Sequence, residues 1–228
     1  MARQTLLIDA DDTLWENNIF FEKTIDHFIS QLEHLGYTFE YIRHILNETE
    51  RRNIRQHGYG VRSFRRSLED TYMKLAGNST RREIMQEIER ITHELEHTPP
   101  HIIEGVPETL AYLSRRHRLI LLTKGEQAEQ AAKVERSGLL SYFDAVEIVV
   151  EKQASTYEHM VEQFKIVKSN GWMVGNSPRS DINPALQTGL NAVFIPHSAT
   201  WELEKTEIEA GNAKLVVLCG FRELRGHF

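Results

Sequence analysis

Six short apolar runs, at residues 5–8, 119–122, 146–150, 172–174, 192–195 and 215–218, constrain the fold of this chain more than any other feature. They are rich in Val, Ile and Leu and do not alternate with polar residues, the pattern of strands buried on both faces. Segments of helical character, such as 126–137 and 156–168, lie between the later runs. Strands alternating with helices imply right-handed βαβ units, so the chain reads as an α/β protein with a mostly parallel sheet.

One interval breaks this rhythm. From about residue 16 to 98 only helical periodicity is visible, with Phe28, Leu32 and Leu35 in one stretch and Ile84, Ile88, Ile91 and Leu95 in another. The acids within 83–89 then read as a solvated helix face. Thr98-Pro99-Pro100-His101 stops the last helix and reads as a linker. The expected organisation is a core made of 1–15 and 99–228, interrupted by an all-helical insert over 16–98.

A chain of 228 residues can hold such a core with an insert. The net charge of −6 argues against general nucleic-acid binding. Cys219 is the only cysteine, so no intrachain disulfide can form, which fits a reducing compartment. The first strand begins a few residues after Met1, leaving no room for a signal peptide. No stretch approaches the ~18 apolar residues of a membrane span. A soluble, cytoplasmic protein that engages neither membrane nor nucleic acid is expected; its oligomeric state is left open.

The chemistry gathers where strands should end. Leu6-Leu7-Ile8 runs into Asp9-Ala10-Asp11-Asp12-Thr13, three carboxylates in four positions. Like charges this close are costly unless a cation or proton offsets them, so the cluster points to a metal site or a carboxylate nucleophile. Alternate residues share a face of an extended chain, which would direct Asp9 and Asp11 at one reactant. Three further segments stand at comparable places. Thr123-Lys124-Gly125 follows the second run and also has the spacing of a capping box with Glu126; exposed amides at a helix start favour a bound anion. Lys152 follows the third run, where a lone lysine by itself is ordinarily just solvated. Gly175-Asn176-Ser177-Pro178-Arg179-Ser180-Asp181 follows the fourth and reads alternatively as turn and cap chemistry, with Pro184 in the first turn of a helix.

Taken together and in order, Asp9-x-Asp11-x-Thr13, Thr123, Lys152 and Gly175-x-Ser177-x-x-x-Asp181 resemble the haloacid dehalogenase-like hydrolase superfamily. The likeness covers the whole core, and Gly105-Val106-Pro107-Glu108-Thr109-Leu110 resembles the segment by which such chains return from a helical cap. It implies a Rossmann-like three-layer core plus the cap. It also implies a phosphatase: Asp9 as nucleophile forming an aspartyl-phosphate, Asp11 as acid and base, Thr123 and Lys152 as the remaining catalytic groups. Mg2+ is the implied cofactor, with Asp9, Asp11, Asn176 and Asp181 as its ligand set. Asn176 departs from the family's usual aspartate, and an amide oxygen ligates without charge, so weaker metal binding is expected. Lys124 stands where asparagine is usual. Relatives that cleave carbon–halogen bonds lack the second aspartate, so Asp11 points to phosphate esters.

For substrate binding the resemblance and the loop chemistry together nominate Thr13, Lys124 and Gly125. Within the insert, residues 51–66 carry six arginines and no acid. The Gly58-Tyr59-Gly60 turn there offers His57, Tyr59 and Arg62 to an anionic or aromatic part of a small phosphorylated substrate: a nucleotide, a sugar phosphate or a phospho-acid. A solvated basic helix surface is the plainer reading of that stretch. A phosphomutase or phosphonate hydrolase on the same scaffold, a non-catalytic phosphate-binding regulator, and a nucleic-acid module using residues 51–66 are the rival functions.

Overall fold

The computed structural model describes residues 3–209 and 211–228. Its elements are, in chain order, strand β1 (Thr5–Ile8), the two-residue strand β2 (Trp15–Glu16), helices α1 (Asn18–Gln31), α2 (Phe39–His57), α3 (Val61–Ala76) and α4 (Arg82–His97), and strand β3 (His101–Ile102). There follow α5 (Val106–Ser114), β4 (Arg118–Lys124), α6 (Gln127–Ser137), β5 (Ala145–Val149), α7 (Ala154–Gln163), β6 (Gly171–Gly175), α8 (Asn183–Gln187), β7 (Asn191–Phe194), β8 (Leu215–Val217) and α9 (Leu224–His227). The chain divides into two compact units, one of Met1–Asn18 with Pro99–Phe228 and the other of Ile19–Thr98.

In the first unit the six apolar runs form one sheet in the order β5-β4-β1-β6-β7-β8, and every pairing is parallel. Both faces of its central strands are buried, while the edge strands β5 and β8 are partly exposed. Leu6, Ile8, Leu119, Leu121 and Val174 pack with Val106, Leu110 and Leu113 of α5 on one side. Leu7, Ile120, Leu122 and Met173 pack with Tyr157 and Met160 of α7 on the other. This two-sided burial is why the strands read as continuous apolar runs.

The second unit is helical throughout its described elements. Ile25, Phe28 and Leu32 of α1, Ile42 and Leu46 of α2, Phe64, Leu68 and Tyr72 of α3 and Ile88 and Ile91 of α4 form one apolar cluster. Gly58, at φ +76, ends α2 and lets the chain turn into α3.

Three local expectations are corrected. His101 is not merely linker: it pairs antiparallel with Glu16, and Trp15 with Ile102, so the two chain crossings form a small ladder. Thr123 does not cap a helix, because it lies inside β4; the cap of α6 is Glu126, whose carboxylate accepts from the Glu129 amide. The helix expected over 156–168 stops at Gln163, where Lys165 takes a positive φ of 52. No helix among the described residues is long and apolar enough to cross a membrane.

Candidate functional site

The first four strands of the sheet order, β5, β4, β1 and β6, are neighbours, so the loops at their carboxyl ends are neighbours too. Each carries one of the polar segments singled out in the sequence. Ligands of open α/β sheets bind in this position.

Asp9 continues β1, its amide donating to the Val174 carbonyl at 2.9 Å. The chain then reverses at Asp12, which adopts φ +60, and the Thr13 and Leu14 amides turn back onto the Ala10 carbonyl. The Asp12 carboxylate accepts from the Asn17 and Asn18 amides and thereby serves the loop itself. Burial pushes its carboxyl up to about 6. His197, from the segment after β7, lies 3.0 Å from Glu16 Oε2 and 3.8 Å from Asp12 Oδ1.

Asp9 is buried, and both its oxygens are engaged. Oδ1 accepts from Lys152 Nζ at 2.5 Å, and Oδ2 accepts from Thr13 Oγ1 at 3.1 Å. The same Thr13 hydroxyl lies 3.4 Å from Asn176 Oδ1, which brings the Asp9 and Asn176 oxygens together around one group. Lys152 also donates to Asp181 Oδ1 at 2.8 Å, while Asp181 Oδ2 accepts from the Ser177 amide at 2.9 Å. One ammonium is therefore shared by two buried carboxylates. Burial and the Asp181 charge push the Asp9 carboxyl up to about 7 against the pull of Lys152. Lys152 is held above its usual value, since Asp181 and Asp9 outweigh its burial. A buried surplus of negative charge, lined by carboxylate and amide oxygens, suits a hard cation such as Mg2+.

Asp11 has hydrogen-bond partners of its own, while its charge still acts on Asp9. Its carboxylate accepts from Trp15 Nε1 at 2.7 Å, Gln130 Nε2 at 3.0 Å and Lys133 Nζ at 3.1 Å. None of these partners is shared with Asp9, Asn176 or Asp181. Gln130 links it instead to Thr123, whose hydroxyl donates to Gln130 Oε1 at 3.4 Å.

The remaining nominated residues fall as follows. Gly125 takes φ +150 and lies so close to Gln130 that a Cβ would press on that side chain. Lys124 points its ammonium into a polar cluster of Glu204, Ser180 and Glu151. His57, Tyr59 and Arg62 belong to the helical unit, where Arg66 Nη1 donates to His57 Nε2 at 2.7 Å and Arg62 is exposed. Gln130, Lys133 and Glu204 carry polar contacts to the nominated groups, and sequence reasoning passed over all three. Gln130 and Lys133 lie on one helix face after the second motif, a spacing that was visible; nothing in the sequence marked Glu204.

A family model described as haloacid dehalogenase-like hydrolase matches residues 6–195. Among curated proteins, N-acylneuraminate-9-phosphatase of Rattus norvegicus is 32% identical over 94 residues, which are 39% of this chain. The aligned stretch spans 38% of that relative's length. Among solved structures, a haloacid dehalogenase-like family hydrolase from Xanthomonas campestris superposes with a TM-score of 0.84 at 25% identity, covering 99% of this chain and 94% of that one. A 2-haloacid dehalogenase from Pseudomonas syringae shares the fold, with a TM-score of 0.62 at 20% identity over 99% of this chain and 97% of its own.

Proposed function

The chain belongs to the haloacid dehalogenase-like hydrolases, and from that premise we propose that it is a Mg2+-dependent phosphomonoesterase acting through an aspartyl-phosphate. The observation that carries the reading is the Asp9–Lys152–Asp181 cluster, whose members follow β1, β5 and β6 of the one parallel sheet. An ammonium fixes and partly neutralises a buried carboxylate, as in-line attack on a phosphate requires.

In this reading Asp9 attacks phosphorus, a bond forms from its carboxylate oxygen, and the ester P–O bond breaks. Asp11, as the carboxylic acid, gives its proton to the leaving alkoxide. It then takes a proton from the water that cleaves the acyl phosphate, releasing inorganic phosphate and restoring Asp9. Lys152 offsets charge on Asp9 and on the transferring group, and Thr123 donates a hydrogen bond to that group. Asp9, Asn176 and Asp181 would hold Mg2+, which when bound supplies further neutralisation of the phosphate dianion.

The choice of phosphate ester over carbon–halogen bond rests on Asp11. A halide departs without a proton, whereas an alkoxide needs an acid, the role this reading gives to the second carboxylate two residues past the nucleophile. The helical unit, with His57, Tyr59 and Arg62, is read as the substrate-selecting insert for a small phosphorylated metabolite, a class that includes the substrate named in the rat relative. A cytoplasmic setting goes with this reading, in which Cys219 is a free, exposed thiol.

The test is hydrolysis of a generic aryl phosphate with Mg2+ and with a chelator. Metal-dependent turnover that vanishes in Asp9→Asn, with the fold retained, is expected. Turnover that survives Asp9→Asn would overturn the nucleophile assignment.

A further inference from the structure

Glu204 lies in a short turn, Glu202–Glu204, after β7 and beyond the residues that the family model matches. It is nevertheless only 8% exposed and fully engaged. Its Oε1 accepts from Lys124 Nζ at 2.5 Å, and its Oε2 accepts from the hydroxyls of Ser177 and Ser180, each at 2.5 Å. Lys124 Nζ also donates to Ser180 Oγ at 2.8 Å, closing a ring of three side chains to which Ser177 is joined through Glu204. Burial alone would raise the Glu204 carboxyl, yet Lys124 and the two serines hold it below its ordinary value.

Two of the groups bound to Glu204 sit beside the proposed machinery. Lys124 follows Thr123 directly. The Ser177 amide donates to Asp181 Oδ2, and Asp181 in turn holds Lys152 against Asp9. A continuous chain of hydrogen bonds therefore runs from Glu204 through Ser177 and Asp181 to the proposed nucleophile. A charged, buried carboxylate with three donors has little freedom, because each lost bond leaves a buried polar group unsatisfied.

We propose that Glu204 is a positioning residue that ties the end of β4 to the Ser177–Asp181 loop, and that Lys124 acts there as its counter-ion and not as a ligand of the phosphate. The inference rests on the phosphatase reading for its catalytic consequence but not for the interaction itself. It also accounts for lysine at 124: a residue in that place facing a buried carboxylate has to carry positive charge. The Lys124 ammonium donates to Glu204, Ser180 and Glu151.

Two near-isosteric variants, Glu204→Gln and Lys124→Gln, and their combination test it. Against an aryl phosphate, each single variant is expected to lower kcat by about tenfold or more, as small misplacements of reacting groups do. KM, and the inhibition constant for inorganic phosphate, should stay within about threefold. The double variant, which restores a neutral pair, should recover much of the loss and fall well short of the product of the single effects. A phosphate ligand at 124 predicts the opposite split: Lys124→Gln would weaken inorganic phosphate about tenfold or more, and Glu204→Gln would tighten it. That outcome overturns the proposal. If the wild type hydrolyses nothing, the phosphatase reading fails on its own. The interaction is then read from thermal unfolding of the metal-free protein, where strictly additive shifts in Tm for the two variants would overturn it.

Discussion

Asp9 and Asp181 are joined through a single ammonium, Lys152 Nζ lying 2.5 Å from Asp9 Oδ1 and 2.8 Å from Asp181 Oδ1. The lysine side chain is 1% exposed, so this is a desolvated three-charge cluster. Removing one partner of such a cluster costs more than the interaction itself is worth, because the remaining charges stay buried.

Lys152→Met should therefore destabilise the fold by about 3–5 kcal/mol at neutral pH. It should also lower kcat for an aryl phosphate by ~10²-fold or more. Chemical denaturation and steady-state kinetics measure the two effects. A variant as stable as the wild type would show that water reaches the cluster and screens it.

Gly175→Ala tests the close approach behind Asp181. A Cβ at 175 would overlap the Asp181 carboxylate, which lies against the backbone there. Overpacking of this kind costs about 1–3 kcal/mol. Because the displaced group is the one that orients Lys152, kcat should fall with stability. Full activity at a lowered Tm would mean that Asp181 can shift without disturbing Asp9.

Asn176→Asp adds a charge beside the oxygen pair gathered around Thr13. Mg2+ titrations of aryl-phosphate hydrolysis should show half-saturation at roughly tenfold lower metal, the effect of about 1.4 kcal/mol. An unchanged titration would place the metal on Asp9 and Asp181 alone.

Glu50 gives a pH dependence independent of the site. It is buried in the helical unit, and its Oε2 has no hydrogen-bond partner. Burial dominates its environment; Arg43 and Arg51 pull its carboxyl down and Glu22 pushes it up, with a net rise from 4.5 to about 7. The folded state thus binds this proton more tightly than the unfolded chain. Its contribution is fully present below about pH 4.5 and is lost as pH rises through about 7. A shift of that size corresponds to about 3 kcal/mol. Asp9 and Asp12 titrate in the same sense, so the difference between wild type and Glu50→Gln isolates Glu50. The variant should be more stable at pH 8 and no more stable at pH 4.5. Parallel stability curves would remove Glu50 as the source.

Much of the fold was legible because the relevant physics is local. The run at 5–8 coincides with β1, and the other five fall within a few residues of their strands; in the central strands β1, β4 and β6, burial on both faces keeps the apolar pattern continuous. What was missed lay in pairings across long separations. Nothing near His101 or Glu16 announces the two-residue ladder they share, because so short a ladder has no periodicity of its own. The helix expected to reach 168 ended early because Lys165 turns into a positive φ, a choice tied to the packing of Ile166 into the core below the sheet.

The identity of the groups at the strand ends was readable for the same local reason. An apolar strand that stops in Asp9, Thr123 or Asn176 has to deliver that residue to the sheet's carboxyl edge. Which of those groups meet was not readable. The folded chain brings the Lys152 ammonium from beyond the edge strand β5 to both Asp9 and Asp181, and turns Lys124 toward Glu204 and Asp11 toward Gln130 and Lys133. By itself the sequence determined an α/β fold with a mostly parallel sheet, because that follows from periodicity and burial. Only the tertiary structure decided how the charges pair, because pairing depends on distances between residues more than a hundred positions apart, such as Asp9 and Lys152.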